Sequence, residues 1–405
     1  LPAQRVMGQS MSALQITNGR LPAEFLVNEP TGDGFGYGSI TLERDRITAV
    51  GERVTVDAPE LDAAGCFILP GYVDVHVHGG DGRDTMDADP AALASMGRFF
   101  ARHGVTGYLP TTMTAPLADI RAAVAAVAGA TAPIDGARML GVHLEGPYIS
   151  PAFPGAQQPA DIRSPNVAEF ADMVAAGPVR MITLAPEQPG AHDLVHAALD
   201  AGVTVVAGHT SATYEEAIDA FDLGVSQATH TYNAMTGLHH RRPGTLGAVL
   251  TDDRIFAQLI ADNIHVHPAA MAVLARCKGA ARTVLITDAM RAAGLAAGDY
   301  ELGGQPVTVR DGQCRLADGT LAGSVLTMDR ALINLMAATG WSLAQAWPTT
   351  SRTPAASIGL SDQLGSIQPG YLADLVLLDE DHLVVATIVG GQIAYLRDPE
   401  RLYDN

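Results

Sequence analysis

Eight short apolar runs rich in β-branched residues, separated by Ala- and Leu-rich stretches, constrain the fold of this chain more than any other feature. They are YVDVHVH (72 to 78), TGYLPTT (106 to 112), MLGVHLEGP (139 to 147), VRMITLAPE (179 to 187), VTVVAGHT (203 to 210), SQATHTYNA (226 to 234), FAQLIADNIHV (256 to 266) and TVLITDA (283 to 289). Between most of them lie segments with helical spacing, at 90–102, 116–129, 167–176, 190–201, 213–222 and 267–278. Strands alternating with helices imply βα units and a parallel sheet. Eight such units in about 220 residues are the count of a TIM-like (β/α)8 barrel.

The flanks read differently. Residues 13–65 hold short alternating runs (ALQITNGRL, GSITLERDRITAVGE) with Gly and Pro turns, and residues 365–397 repeat the pattern. That is the signature of small antiparallel strands. Neither flank can bury much core alone, so residues 13–65 and 365–400 are expected to pair into one small β-sandwich domain. The barrel then occupies 66–364, with a β-hairpin inserted near 299–320, where DGQ and DGT mark turns. Residues 1–12 carry no periodic pattern and read as a leader, disordered or foreign to the natural chain.

Composition removes several function classes. The formal charge of -19 disfavours nucleic acid and anionic membranes, whose binding is driven by positive charge. No apolar run reaches the roughly 18 residues of a membrane span, and no secretory signal opens the chain, so a cytoplasmic protein is expected. Cys66, Cys277 and Cys314 are odd in number and widely spaced, which argues against a disulfide framework or a cysteine zinc cluster. Lys278 is the sole lysine, so Schiff-base or carboxylated-lysine chemistry would have to rely on that one position in a helical segment. No GxSxG elbow occurs, leaving a nucleophilic serine without support.

The polar residues of the eight runs gather at one end. His76, His78, Glu145, His209, His230, His265 and Asp288 all lie toward the C-terminal ends, the end where such barrels carry their active sites. His76 and His78 are two apart in a strand, so their imidazoles look into the same space. Neutral imidazoles with a carboxylate suit zinc or a similar transition metal rather than calcium or magnesium. Six candidates, His76, His78, Glu145, His209, His230 and Asp288, exceed one four-coordinate shell. Either two ions bind, with Glu145 as the natural bridge, or Asp288 does other work. A metal with an open position lowers the pKa of bound water to about 7, which serves amide or ester hydrolysis. Asp288 suits the proton transfer, first as general base and then as general acid.

Longer motifs add a resemblance. LPGYVDVHVHG and LGSIQPGYLADLVLLD resemble the amidohydrolase superfamily, whose members join a metal-bearing barrel to a small β-sandwich. HLEGP, AGHTSAT, ATHTYNAM, RPGTLGAVL, IADNIHV, ITDAM and AGSVLTM are similar, in order along almost the whole chain, to the N-acetylglucosamine-6-phosphate deacetylases. The resemblance implies that Glu145, His209 and His230 bind the principal ion and that Asp288 is the general acid/base. It implies substrate contacts at Asn233, Ala234, Arg241 and His265, with Arg242 the neighbour that competes with Arg241. It also implies a homodimer in which such a basic residue can come from the partner subunit. Some members carry the HxH pair and hold a second ion, so one or two ions are expected here. One departure stands out: where the family shows a substrate-contacting His after HLEGP, this chain has Gln157, preceded by Ala156, in PGAQQP. The implied reaction is removal of acetyl from an amino sugar phosphate. N-acetylgalactosamine 6-phosphate and N-acyl amino acids are the alternative substrates, and a non-catalytic scaffold on the same fold would have no need of these donors.

Overall fold

The computed structural model describes residues 11–26, 32–54, 57–131, 133, 135–398 and the backbone of 402–403. Most of the expected leader, residues 1–10, lies outside the described residues. Met11 belongs to the folded part, where its N–H donates to Gln392 Oε1 at 2.6 Å.

All eight expected strands form: β1 (Tyr72–Val77), β2 (Val105–Thr112), β3 (Val142–Glu145), β4 (Val179–Leu184), β5 (Thr204–Ala207), β6 (Gln227–Ala228), β7 (Phe256–Ile260) and β8 (Thr283–Ile286). Each pairs in parallel with the next. Asp288 N donates to His76 O at 2.9 Å and His78 N to Ala289 O at 2.9 Å, which ties the end of β8 to β1 and closes the barrel. The strands are buried along their whole inner length, as parallel strands covered on both faces must be.

Eight helices follow the strands: α1 (Pro90–Arg102), α2 (Leu117–Gly129), α3 (Val167–Ala176), α4 (Ala191–Asp200), α5 (Tyr214–Leu223), α6 (Gly244–Thr251), α7 (Pro268–Lys278) and α8 (Met328–Thr339). Local chemistry sets their ends. Thr213 and Glu216 form a reciprocal capping box that starts α5, and Gly224, at φ 116°, stops it. Lys278 is spent on structure: its Nζ donates to Val249 O at 3.0 Å and Asp252 O at 2.6 Å, satisfying carbonyls at the end of α6. The sole lysine is therefore far from any role as a bridging ligand.

The chain ends meet in one nine-stranded sheet with its own apolar cluster, which includes Leu14, Ile16, Ile40, Leu42, Leu375 and Ile388. Phe67–Pro70 joins this sheet rather than the barrel, pairing antiparallel with Leu375–Leu378. Gly71 then leads directly into β1; a Cβ there would lie 2.2 Å from Thr106 Cγ2, so only glycine fits the crossing. The insertion after β8 has three strands, Gly298–Leu302, Gln305–Arg310 and Gln313–Arg315, one more than a hairpin. It packs Val307 and Cys314 against Met113 and Met290 beside the barrel mouth.

Candidate metal centre and active site

Four imidazoles and two carboxylates converge where the barrel strands end. His76 is the penultimate residue of β1, His78 follows it, and Glu145 ends β3, whereas His209, His230 and Asp288 each lie two residues beyond their strands. These last three have positive φ, at 47°, 26° and 49°, a conformation uncommon for side chains with a Cβ. The backbone there turns sharply and aims each side chain inward. Such outliers persist where the surrounding structure over-determines them, and they cluster at functional sites.

The donors form two sets. In one, His209 Nε2 and His230 Nε2 lie 3.1 Å apart and stand 3.1 and 3.2 Å from Glu145 Oε1. In the other, His76 Nε2 and His78 Nε2 are 3.3 Å apart, with Asp288 Oδ1 at 3.5 and 3.2 Å. Glu145 spans both, since Oε1 is 3.4 Å from His76 and Oε2 is 3.3 Å from His78. Ligands about 2.0–2.1 Å from a tetrahedral ion would stand roughly 3.3–3.4 Å from one another, close to these separations.

The hydrogen bonds on the far side of each ring explain why the inner nitrogens are free. His209 Nδ1 faces Phe153 O at 3.0 Å, His230 Nδ1 faces Asn233 O at 3.1 Å, and His78 Nδ1 faces Thr111 O at 3.2 Å. A carbonyl oxygen can only accept, so each Nδ1 carries a hydrogen and Nε2 is the atom that each ring turns inward. Lone pairs of Nε2 atoms and carboxylate oxygens crowded at these distances repel unless a cation or proton lies among them. The donor set therefore fits a divalent metal.

Electrostatics point the same way. Burial opposes charge on Glu145, but His76, His209 and His230 outweigh it and hold the carboxyl well below 4.5. Burial also opposes a charge on His78, yet Asp288 and Glu145 outweigh it and hold its pKa well above 6.5. In the metal-free protein a proton on His78 thus stands where an ion would go. Metal uptake must expel it, so affinity should rise with pH and binding should release about one proton near neutrality. Calorimetry in buffers of different ionisation heat checks this; an identical heat in every buffer would contradict it.

His143, under the cluster, is no ligand. It is fully buried, packs edge-on against His76 at 4.7 Å between ring centroids and faces Thr183 Oγ1 at 2.8 Å. Burial, together with His76, pushes its pKa well below 6.5, so it stays neutral. His267 caps α7 by accepting from Ala269 N.

Above the donors opens a cavity of about 620 Å³, within the range of small-molecule sites. Asn233, Ala234, His265, Ala156 and Gln157, all expected at the site, line it along with every donor but the fully buried His76. His265 is oriented by Asp262, whose Oδ2 lies 2.6 Å from its Nδ1. The Gln157 amide nitrogen donates to Glu145 Oε2 at 2.6 Å. Arg241 does not line the cavity. It lines an adjoining groove with Tyr214, Arg242 and Phe153, the last of which also borders the cavity, and its guanidinium lies against His240. Sequence reasoning missed Arg315, Asp318 and Thr320, which reach the cavity from the insertion, and Arg315 is the only Arg or Lys among the described residues that line it. The DGQ and DGT turns located that insertion, but nothing in its spacing says that it borders the mouth.

A (β/α)8 barrel with a carboxylate shared between two histidine-rich donor sets, and an aspartate facing the cavity above them, defines a metal-dependent hydrolase. The amidohydrolase family model matches residues 67–394. The chain is 43% identical over 353 residues to an N-acetylgalactosamine-6-phosphate deacetylase of Escherichia coli O157:H7, covering 86% of this chain and 93% of that one. It is 40% identical over 367 residues to an N-acetylglucosamine-6-phosphate deacetylase of Vibrio furnissii, covering 87% and 92%. Among solved structures, N-acetyl-D-glucosamine-6-phosphate deacetylase from Mycobacterium smegmatis, a mutant in complex with N-acetyl-D-glucosamine 6-phosphate, superposes with a TM-score of 0.85 at 32% identity, over 95% of this chain and all of that one. The chain belongs to the amidohydrolase family, in the branch of the N-acetylglucosamine-6-phosphate deacetylases. It is a metal-dependent amidohydrolase.

Proposed function

We propose that this enzyme hydrolyses the acetamide of N-acetyl-D-glucosamine 6-phosphate, giving D-glucosamine 6-phosphate and acetate. The observation that carries the reading is that His78, Glu145, His209, His230 and Asp288 line the same cavity as Asn233, Ala234 and His265. Glu145, His209 and His230 hold the principal ion, most simply zinc given their nitrogen-rich donors, and His76, His78 and Asp288 offer a second position. A divalent ion there supplies Lewis acidity, polarising the acetyl carbonyl and making a water nucleophilic near pH 7. Asp288 takes the proton of the attacking water. As the new C–O bond forms and the C–N bond breaks, Asp288 returns that proton to the nitrogen, which leaves as the amine. Asn233, Ala234 and His265 bind the sugar phosphate. Arg241 adds its charge from the partner subunit of a homodimer, which accounts for its place outside this chain's own cavity. The expected location is the cytoplasm. Among the described residues no helix is long and apolar enough to cross a membrane.

The 43% identity to an N-acetylgalactosamine-6-phosphate deacetylase favours the C4 epimer as a second substrate. The test is acetate release from both 6-phosphates, from unphosphorylated N-acetylglucosamine and from N-acyl amino acids, before and after a chelator soak. Release should be confined to the phosphorylated sugars, should fall more than about 10³-fold on chelation, and should return with added metal. Turnover of an N-acyl amino acid in place of either 6-phosphate would overturn the substrate assignment.

A further inference from the structure

Glu145 is the one residue common to both donor sets, so whatever fixes its carboxylate sets the balance between them. Oε1 faces His209, His230 and His76, at 3.1, 3.2 and 3.4 Å. Oε2 faces His78 at 3.3 Å and accepts from Gln157 Nε2 at 2.6 Å. The orientation of the Gln157 amide is not free. Thr114 N is a donor and lies 2.6 Å from Oε1, so the other atom of the amide must be the nitrogen that donates to Glu145. The loop carrying it is also pinned: Gln157 N donates to Pro154 O at 2.9 Å, and Gln305 Nε2 of the insertion donates to Ala156 O at 2.7 Å. The side chain itself is buried, with 3% exposure.

We propose that Gln157 is a positioning residue that makes the two donor sets take up metal with unequal affinity, the Glu145, His209 and His230 set first. The physical cause is lone-pair competition. A carboxylate oxygen has two acceptor positions, and Gln157 occupies one on Oε2, weakening that oxygen as a ligand for the His76, His78 and Asp288 position. The same bond holds the carboxylate plane so that Oε1 stays between His209 and His230. A partner behind a ligand fixes its orientation, and losing such a partner typically costs 10–100-fold in metal affinity. The inference rests on the donor sets and not on the sugar, so it stands or falls separately from the substrate assignment.

Titration of the chelator-stripped enzyme with Co²⁺, followed by visible absorption and by competition with a fluorescent chelator, tests it without reference to activity. The wild type should fill in two steps separated by about tenfold or more in affinity. Gln157→Leu should weaken the first step by about 10–100-fold and bring the two together. Gln157→Glu, which keeps the size of the side chain and the bond from Thr114 N, should strengthen the second step, because it adds an anionic oxygen beside Oε2. Circular dichroism of the metal-free variants shows that each is folded; if the Leu variant is not, the Glu variant decides. Equal steps in the wild type, or wild-type behaviour in the folded variants, would overturn the proposal.

Discussion

Asp288→Asn should lower kcat by about 10³-fold, some 4 kcal/mol of barrier, while leaving KM within about threefold. Asp288 lies two residues beyond β8 and lines the cavity, with Oδ1 3.2 Å from His78 Nε2. Burial opposes its ionisation, but His76 and His78 outweigh burial and hold its carboxyl below the usual 3.8. It is therefore ionised at neutral pH and ready to accept a proton. Asparagine has the same size and can neither take up that proton nor return it to the leaving nitrogen. Asn233, Ala234 and His265, the residues proposed to bind the sugar phosphate, are untouched, so binding should survive. Metal analysis separates this outcome from loss of the principal ion, whose donors Glu145, His209 and His230 remain in place. A variant with a normal metal content and a kcat within tenfold of wild type would remove Asp288 from the proton-transfer role.

The sequence made this residue legible because strand ends in a βα barrel converge on one rim. A His, Glu or Asp at the end of a β-rich run can then be assigned to a shared site without knowing the pairing. His76 and His78 show it most directly: their two-residue spacing implies one face, and their Nε2 atoms do meet at 3.3 Å. The same logic placed Glu145 at the shared rim, and its carboxylate does stand within 3.4 Å of Nε2 of all four histidines. What periodicity could not reach was the direction of each side chain beyond its strand. His209, His230 and Asp288 depend on left-handed backbone turns, which residue spacing does not encode.

Contacts between distant segments were equally hidden. Phe67–Pro70 reads as the approach to the barrel, yet its partner is Leu375–Leu378, some three hundred positions away, and no local pattern carries that register. Gln157 reads by position as a substrate contact. Within the chain its amide bonds to Glu145 and to the N–H of Thr114, from the ends of other strands. Arg241 reads as a phosphate ligand, and within one chain it faces a different groove. In each case a neighbour lies on a distant segment, and only the fold brings the two together.

The largest stability effect is expected where the barrel meets the end sheet. Asp374, buried with 4% exposure, accepts from Arg138 Nη2 on both carboxylate oxygens, at 2.6 Å on Oδ2, and from Gly390 N at 2.7 Å on Oδ1. Burial outweighs the attraction of Arg138 and leaves this carboxyl above its usual 3.8. The pair is therefore a costly way to fill the interface, yet removing one partner alone strands the other without its counter-charge. Asp374→Ala should cost roughly 3 kcal/mol of stability. Pairing it with Arg138→Met should recover more than half of that loss, since no charge is then left unmatched. Urea unfolding followed by tryptophan fluorescence is suited to the measurement. Trp347 is buried and its ring centroid lies 5.9 Å from that of Phe25, so its emission reports unfolding of the packed chain. A single variant costing less than about 1 kcal/mol would mean that solvent reaches Arg138 well enough to stand in for Asp374. A double variant no better than the single would mean that the bond to Gly390, rather than the charge, is what Asp374 contributes.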